Sequence, residues 1–310
     1  MDDLTENEYG VKVAMFIAEP KYMGTITDEQ AKEEGGSLFN FRYGSKEVDY
    51  DLTFNWVVDK QGDSILLARY SYEGVPSGIA VHHMVSLLFT HKTMTEIDTI
   101  NFVGLEKLLR DNPAFSALPD EENFTINFAV DATKLAVKLY TKQELTHEEK
   151  TIPCTDSPMS IASLKAAIRA HNIQTLEELA NHTKAGMTDT DSHKMLLEWI
   201  EENKMYAVEK KEADDALASI PFNTMSVDHQ IIAVETAIDN TVRQFLVMDG
   251  GDIDILNVKE NAGTYEVYIS YLGACSSCES SGTGTLMAIE NALKDKLYPK
   301  YPCYSDIKHT

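Results

Sequence analysis

Residues 249–278 read DGGDIDILNVKENAGTYEVYISYLGACSSC. Two runs in this stretch, residues 253–259 and 264–272, are typical of strands, and a Gly-ending turn sequence joins them. An apolar pattern with helical spacing precedes the stretch over residues 228–248, and another helix is predicted after it, over residues 282–297. A helix, a hairpin and a second helix predict an α+β fold for this part of the chain.

Cys275 and Cys278 lie at the junction between the second predicted strand and the helix that follows. Two thiolates with the spacing C-x-x-C can hold one metal ion or two irons of one cluster. The flanking residues are glycine, alanine and serines, which let metal and sulfide approach the backbone, and the start of the helix favours thiolate. The same spacing also fits a redox dithiol, half of a zinc site or an inert pair.

The other two cysteines, Cys154 and Cys303, are isolated in the sequence. Mononuclear zinc usually takes four protein ligands, so two cysteines per chain indicate a site that a second chain completes. Two protomers would supply four thiolates, which suits a 4Fe–4S cluster. A thioredoxin-type dithiol is expected after the first strand of a βαβ unit, whereas this pair follows a hairpin. Metal or cluster binding is therefore favoured over redox chemistry.

The N-terminal part begins with strand patterns and continues with helical ones. Residues 47–59 and 64–72 form a predicted hairpin, and apolar residues alternate along the first of the two runs. Helices are predicted over residues 79–90, 94–110 and 129–140. Strands followed by helices again predict an α+β domain.

The middle of the chain is predicted to be helical. Residues 141–159 are polar and contain two prolines, which is typical of a linker. Residues 160–205 show three helical patterns, and residues 209–219 are charged and alanine-rich, which predicts a helical or flexible tether. The three helices are expected to begin at Ser160, Thr175 and Ser192.

Charge and cysteine content limit the possible functions. The chain has 50 acidic and 27 basic residues and a net charge of −23, so its surface should repel nucleic acids and anionic membranes. No apolar stretch is long enough to span a membrane, and the acidic start does not resemble a signal peptide. Four cysteines in 310 residues do not form a disulfide framework, so a reducing, cytoplasmic location is expected.

Residues 230–297 resemble the C-terminal (Nfu) domain of the NifU family. The resemblance depends on the order of three features: the sequence DGGD at 249–252, the predicted hairpin, and GACSSC at 273–278. It implies that Cys275 and Cys278 bind an iron–sulfur cluster shared by two protomers. The resemblance and the two thiolates per chain together predict a 4Fe–4S cluster, with 2Fe–2S as the other possibility.

Residues 15–140 resemble the U-type (IscU-like) scaffold domain of the same family. That domain assembles a cluster on three cysteines with the help of an Asp and a His. The corresponding positions here fall near residues 43–45, Glu47, residues 74–75 and residues 124–125, and no cysteine precedes Cys154. This domain is therefore expected not to build a cluster. The sequence segments that resemble this domain are residues 19–24, 36–38, 77–80 and 109–113.

Residues 161–186 resemble the helical, ferredoxin-like (BFD-like) domain of the family, which holds a 2Fe–2S cluster. The family has a C-x-x-C directly after this point, but residues 187–193 contain no cysteine, and Cys154 is interpreted as the remnant of an upstream ligand. Asp189 and Asp191 are expected in a solvated loop that caps the next helix. His82 and His83 are poor joint ligands, because adjacent helical residues point about 100° apart.

Together these observations predict an α+β protein with three domains: an IscU-like domain over residues 1–145, a BFD-like domain over 155–205 and an Nfu-type domain over 225–310. The predicted function is to bind a cluster at Cys275 and Cys278 and deliver it to apo iron–sulfur proteins, with a second protomer as partner. No enzymatic reaction is expected. One alternative is an accessory protein that docks a cysteine desulfurase or a true scaffold, and another is a thiol–disulfide enzyme.

Overall fold

The computed structural model describes residues 9–112, 114–218, 220–243, 246, 251–261, 264–273, 285–297 and 304–309. The chain divides into two compact units, Met1–Lys204 and Met205–Thr310. Helices and small sheets occur together, which confirms the predicted α+β class. The three-domain boundaries stay a prediction.

The first unit contains an antiparallel sheet of strands β1 (Ser37–Ser45), β2 (Tyr50–Val58) and β3 (Ile65–Gly74), in that order. The predicted hairpin is β2 and β3, with Phe54 opposite Tyr70. One face of β2 is fully buried, as the alternating pattern indicated.

Strand β1 was not predicted, because most of its side chains are only partly buried or exposed and give no clear alternation. The chain turns back into β2 through a 3₁₀ helix, Lys46–Val48, where the sequence had suggested a strand from residue 47. Gly44 permits this turn: its φ is +78°, and an added Cβ would lie 2.0 Å from the Tyr50 carbonyl oxygen.

The helices of the first unit follow the predicted order, with additional short ones. Helix α10 extends through the predicted tether and crosses the boundary between the two units. The helices are α1 (Val11–Ala18), α2 (Asp28–Glu33), α3 (Pro76–Phe89), α4 (Met94–Asp98), α5 (Phe102–Leu109), α6 (Phe124–Tyr140), α7 (His147–Lys150), α8 (Ile161–Ala170), α9 (Leu176–Thr183) and α10 (His193–Ala218).

The prediction of a single helix over residues 94–110 was wrong, since the structure has two helices, α4 and α5. The side chain of Asn101 accepts a hydrogen bond from the Gly104 amide at 2.9 Å and so caps a new helix. Asparagine is among the residues that favour the N-cap position, and it competes there with continuation of the preceding helix.

The helix starts in the middle segment are confirmed to within one residue. Ser160 and Thr175 cap α8 and α9, and the Thr175 hydroxyl accepts a hydrogen bond from the Glu178 amide at 3.1 Å. The Glu178 carboxylate accepts from the Gln174 amide at 2.6 Å. Glu178 therefore stabilises the residue before the cap.

The predicted linker, residues 141–159, is partly built into the core of the first unit. It contains α7, and its buried residues Cys154 and Met159 belong to the same apolar cluster as Leu164 of α8. The prolines correctly indicated an irregular backbone, but part of this segment is buried, unlike a typical linker.

The second unit packs helices against a second sheet. Its elements are α11 (Val227–Ile238), a π-helical turn (Asp239–Arg243), β4 (Gly251–Asn261), β5 (Thr264–Gly273), α12 (Leu286–Leu297) and β6 (Tyr304–His309). Strands β4 and β5 are antiparallel, as predicted, while β6 pairs with β5 in parallel and was not predicted. The core includes Val234, Ile253, Val267, Ile289 and Leu293.

None of the described helices combines the length and apolar character needed to cross a membrane.

Replacing Ile289 with alanine should destabilise the second unit by about 2–5 kcal/mol, because the Ile289 side chain is fully buried and its loss leaves a cavity. Hydrogen exchange of the β4 and β5 amides measures this effect. Met287→Ala on the same helix is the control: Met287 is 63% exposed, so its change should stay within about 0.5 kcal/mol. Equal effects of the two substitutions would contradict the packing described for α12.

Candidate functional site

The predicted cluster ligands, Cys275 and Cys278, lie outside the described residues, as does Cys303. The structure describes the elements on both sides of the pair: β5 ends at Gly273, and α12 begins at Leu286.

Arg243 connects the helical segment after α11 with the beginning of β4. Its guanidinium pairs with Asp239 at 2.5 Å and with Asp252, and it donates to the Ile253 carbonyl at 2.9 Å. The contacts fix the beginning of β4 to the end of the helical segment. Asp252 belongs to the sequence DGGD on which the family resemblance was based, whereas Arg243 had no predicted role.

Three segments at which the U-type resemblance places ligands lie together in the first unit. An added Cβ on Gly74 would be 2.6 Å from the Asp49 carbonyl oxygen, so these two segments touch. The ammonium of Lys184 donates to the Val48 carbonyl at 2.7 Å and lies 4.9 Å from the centre of the Phe124 ring. Lys184, at the end of α9, thus joins the residue after Glu47 to the third expected ligand position at Phe124.

The side chains at these positions do not fit an iron–sulfur cluster. The Tyr43 hydroxyl donates to Asp131 at 2.6 Å, and the Thr125 hydroxyl donates to the Glu122 carbonyl at 2.8 Å. Phe124 is buried, and Glu47 is exposed. No thiol is present, and burial lowers the pKa of the half-buried Lys184 ammonium, although the nearby carboxylates of Asp49 and Asp156 raise it in part.

His82 and His83 have different surroundings, as expected for adjacent helical residues. His82 is fully buried, and its Nε2 lies 2.6 Å from the Tyr50 hydroxyl oxygen. Burial lowers the pKa of His82 to about 3. His83 stacks on Phe16 with the ring centres 4.2 Å apart. His82 packs between α3 and the sheet, and His83 packs between α3 and α1.

Cys154 has two acidic neighbours, which the sequence had not suggested. Its sulfur and carboxylate oxygens of Asp156 and Asp189 lie within 4.8 Å of one another. Asp189 caps the following turn, as predicted, by accepting from the Ser192 amide at 3.3 Å, but it is only half exposed and also accepts from the Thr155 amide at 2.8 Å.

The chemistry of this group does not suit a 2Fe–2S cluster. The Asp156 carboxylate already accepts hydrogen bonds from three backbone amides, those of Gly186 at 3.2 Å and of Thr188 and Asp189 at 2.8 Å. Burial raises the pKa of Cys154 to about 11, so its sulfur is a protonated thiol at neutral pH. A 2Fe–2S site takes four ligands, commonly thiolates. We interpret the group as a hydrogen-bonded connection between two loops.

A neutral pair of histidines is formed by His171, directly after α8, and His182 of α9. His171 and His182 stack with their ring centres 4.0 Å apart. Asn127 of α6 donates to the His182 carbonyl at 2.9 Å, and its side-chain oxygen lies 3.1 Å from His171 Nε2. Burial lowers the pKa of both histidines, that of His171 to about 4.

Lys184→Ala should lower the free energy of unfolding of the first unit by about 1–2 kcal/mol, because it removes a hydrogen bond and a cation–π contact. Tryptophan fluorescence during urea unfolding reports this unit, since the two tryptophans of the chain, Trp56 and Trp199, both belong to it. Lys194→Ala, at a side chain 90% exposed, should change little. Equal unfolding midpoints for the two variants would show that the Lys184 contacts are weak.

Acid should destabilise the first unit through the partly buried pair His171 and His182. The pKa values of His171 and His182 lie below the unfolded value of about 6.5, so their contribution is complete above pH 6.5 and decreases as the pH falls toward 4. His171→Gln should reduce the loss of unfolding free energy between pH 6.5 and 4 by about 2 kcal/mol, measured by tryptophan fluorescence. His147→Gln, at an exposed position, should keep the parental slope. Identical slopes for all three proteins would refute this assignment.

Two family models match this chain, one within each of the two units. The NifU-like N terminal domain family matches residues 8–147, and the NifU-like domain family matches residues 234–301.

The chain is 23% identical over 306 residues to "Nitrogen fixation protein NifU" of Trichormus azollae, covering 94% of this chain and 97% of that protein. It is 22% identical over 309 residues to the protein of the same name from Azotobacter chroococcum mcd 1, covering 94% of each. A shorter match, 44% identical over 55 residues, links 18% of the chain to 22% of "NifU-like protein 1, chloroplastic" of Arabidopsis thaliana. The chain therefore belongs to the NifU family.

Proposed function

We propose that this protein carries an iron–sulfur cluster and delivers it to apo-proteins, with Cys275 and Cys278 as the cluster ligands. Membership of the NifU family supports a role in iron–sulfur cluster assembly. The observation that carries the proposal is a C-x-x-C pair inside residues 234–301, which match the NifU-like domain.

The number of thiols supports a cluster shared by two protomers. The two other sites suggested by the family resemblance do not fit a cluster: the U-type position has no thiol, and Cys154 is a single buried thiol whose neighbouring carboxylates are hydrogen-bonded to the backbone. Two cysteines from each of two chains supply the four thiolates that a 4Fe–4S cluster takes. A 2Fe–2S cluster would use the same four ligands.

The cluster is the cargo in this proposal, and no chemical conversion of a small substrate is assigned to the protein. Delivery means that thiolates of an acceptor protein replace those of Cys275 and Cys278 around the cluster. Low cysteine content, 4 in 310 residues, supports the reducing cytoplasm as the compartment.

A second candidate function is docking of a cysteine desulfurase or of a true scaffold protein. The observation that favours it is the first unit, which keeps a packed sheet and helices although its expected ligand positions hold Tyr43, Glu47 and Phe124 and contain no cysteine. A fold retained without its ligands is suited to protein contacts. Pull-down of a purified cysteine desulfurase by the full-length protein tests this function separately from cluster binding.

Cys275→Ser or Cys278→Ser should abolish cluster binding. After anaerobic reconstitution, we expect about four irons per dimer for the parent, as a 4Fe–4S cluster requires, and almost none for either variant. Iron and sulfide analysis, a Mössbauer spectrum and activation of apo-aconitase measure this effect. The matched controls are Cys154→Ser and Cys303→Ser, which should bind and transfer the cluster nearly as the parent does.

Circular dichroism must show that each serine variant is folded, so that loss of the cluster is not confused with loss of structure. A monomer that retains a full cluster would exclude the shared site. Iron and sulfide retained by the Cys275→Ser/Cys278→Ser double variant would show that other residues are the ligands.

A further inference from the structure

A groove lies between α6 and α8 in the first unit, and its lining residue Asp131 is hydrogen-bonded to Tyr43. Its cavity volume is about 600 Å³. Small-molecule sites in proteins usually measure about 300–1,000 Å³ and are lined mainly by apolar side chains.

The groove exists because α8 has small residues on the side that lines it. Ala162, Ala166 and Ala170 recur every fourth residue and therefore lie on one face of α8. Larger apolar side chains of α6 and of the segment after α7 line the rest of the groove, and Leu139 and Ile152 remain exposed at its edge. These larger residues are Val130, Leu135, Leu139, Ile152, Pro158 and Met159.

Lysines line the part of the groove near the end of α6. Lys134, Lys138 and Lys150 line it together with two acidic residues, Asp131 and Glu149. The Glu149 carboxylate pairs with Lys138 at 2.5 Å. Lys134 and Lys150 are exposed and form no ion pair within the described part of the chain. Two available ammonium groups beside an apolar groove are unusual on a protein whose net charge is −23.

The Asp131 carboxylate offsets part of this positive charge, because it interacts electrostatically with Lys134 and Lys138. Each of its oxygens accepts a hydrogen bond from a hydroxyl at 2.6 Å, Oδ2 from Tyr43 and Oδ1 from Ser163. Burial raises the pKa of Asp131. The carboxyl group is thus part of the packing between α6 and α8.

The other part of the groove is polar but uncharged. Asn127 and His171 line it, and they are hydrogen-bonded to each other. His171 is neutral at pH 7 because burial lowers its pKa to about 4. Along α6, the distance from Asn127 to Lys138 is roughly 16 Å at 1.5 Å per residue. The groove is therefore apolar along most of its length, with lysines toward one end and the uncharged Asn127 and His171 toward the other.

We propose that this groove binds an amphipathic monoanion, a medium-chain alkyl carboxylate, with the alkyl chain between α6 and α8 and the carboxylate at Lys134 and Lys150. The alanines of α8 leave the space for the chain, and the apolar walls gain by being covered. The two lysines supply the charge that selects an anion. The site is independent of Cys275 and Cys278, so it does not depend on the proposed cluster-carrier function.

Dodecanoate, kept below its micellar concentration, is the probe for a calorimetric titration of the full-length protein. We expect one site per chain, with ¹H–¹⁵N shifts concentrated in the amides of α6 and α8. Acetate, which has the same carboxylate but no chain, should not bind. The double variant Lys134→Gln/Lys150→Gln should weaken binding about fivefold, as expected for the loss of two exposed charge contacts.

Two further variants separate the groove from the rest of the surface. Ala166→Trp should fill the groove and abolish binding, and Ala166 is exposed enough to accept the larger side chain. Lys60→Gln removes an exposed lysine that does not line the groove, and its affinity should equal that of the parent. Absence of dodecanoate binding would overturn the proposal, as would unchanged affinity in folded Ala166→Trp or shifts located outside α6 and α8.

Discussion

The first unit depends on the burial of one face of β2. Tyr50, Leu52, Phe54 and Trp56 are all fully buried, and they contact helices rather than solvent. The Tyr50 ring packs edge-on against Phe128 of α6 with the ring centres 4.9 Å apart, and Trp56 packs similarly against Phe89 of α3 at 5.9 Å. Because side chains alternate along a strand, a shift of one residue would turn all of these aromatics away from the helices that they contact. The register of the hairpin and the positions of α3 and α6 are therefore fixed together.

Hydrogen bonds and packing stabilise the positions at which the family resemblance places metal ligands. Lys184 joins the loop before β2 to the start of α6. Asp156 accepts hydrogen bonds from three backbone amides of the loop after α9. Either contact orders a loop that a bound metal could otherwise order. The first unit thus has internal contacts that keep its structure without iron.

The elements predicted best from the sequence are those whose side chains repeat with a regular period. The β2–β3 hairpin and the starts of α8 and α9 follow from alternation and from capping residues, both of which are local. The break at Asn101 was missed because the apolar spacing continues across it, while the cap that ends the pattern depends on one side chain. Strand β6 was missed because its short run derives its stability from pairing with a strand far away in the sequence.

Contacts between distant segments account for the remaining differences. Lys184 lies 136 residues from its partner Val48, and Asp189 lies 34 residues from Thr155. A sequence pattern gives no distance between such residues, so the site around Cys154 could be recognised as a remnant but not as a group with two carboxylates. Cys275 and Cys278 are different, because they are neighbours in the sequence, so their spacing could be read directly as a candidate metal or redox pair.

Burial of Cys154 has a consequence for the thiol chemistry of the whole chain. Alkylating reagents and peroxides react with thiolate, and a thiol whose pKa is raised to about 11 presents very little of it at neutral pH. Two nearby carboxylates also repel anionic oxidants and anionic labelling reagents from its sulfur. Cys154 should therefore oxidise slowly in air and stay unlabelled while the first unit is folded. Modification of Cys154 would report that the first unit has opened.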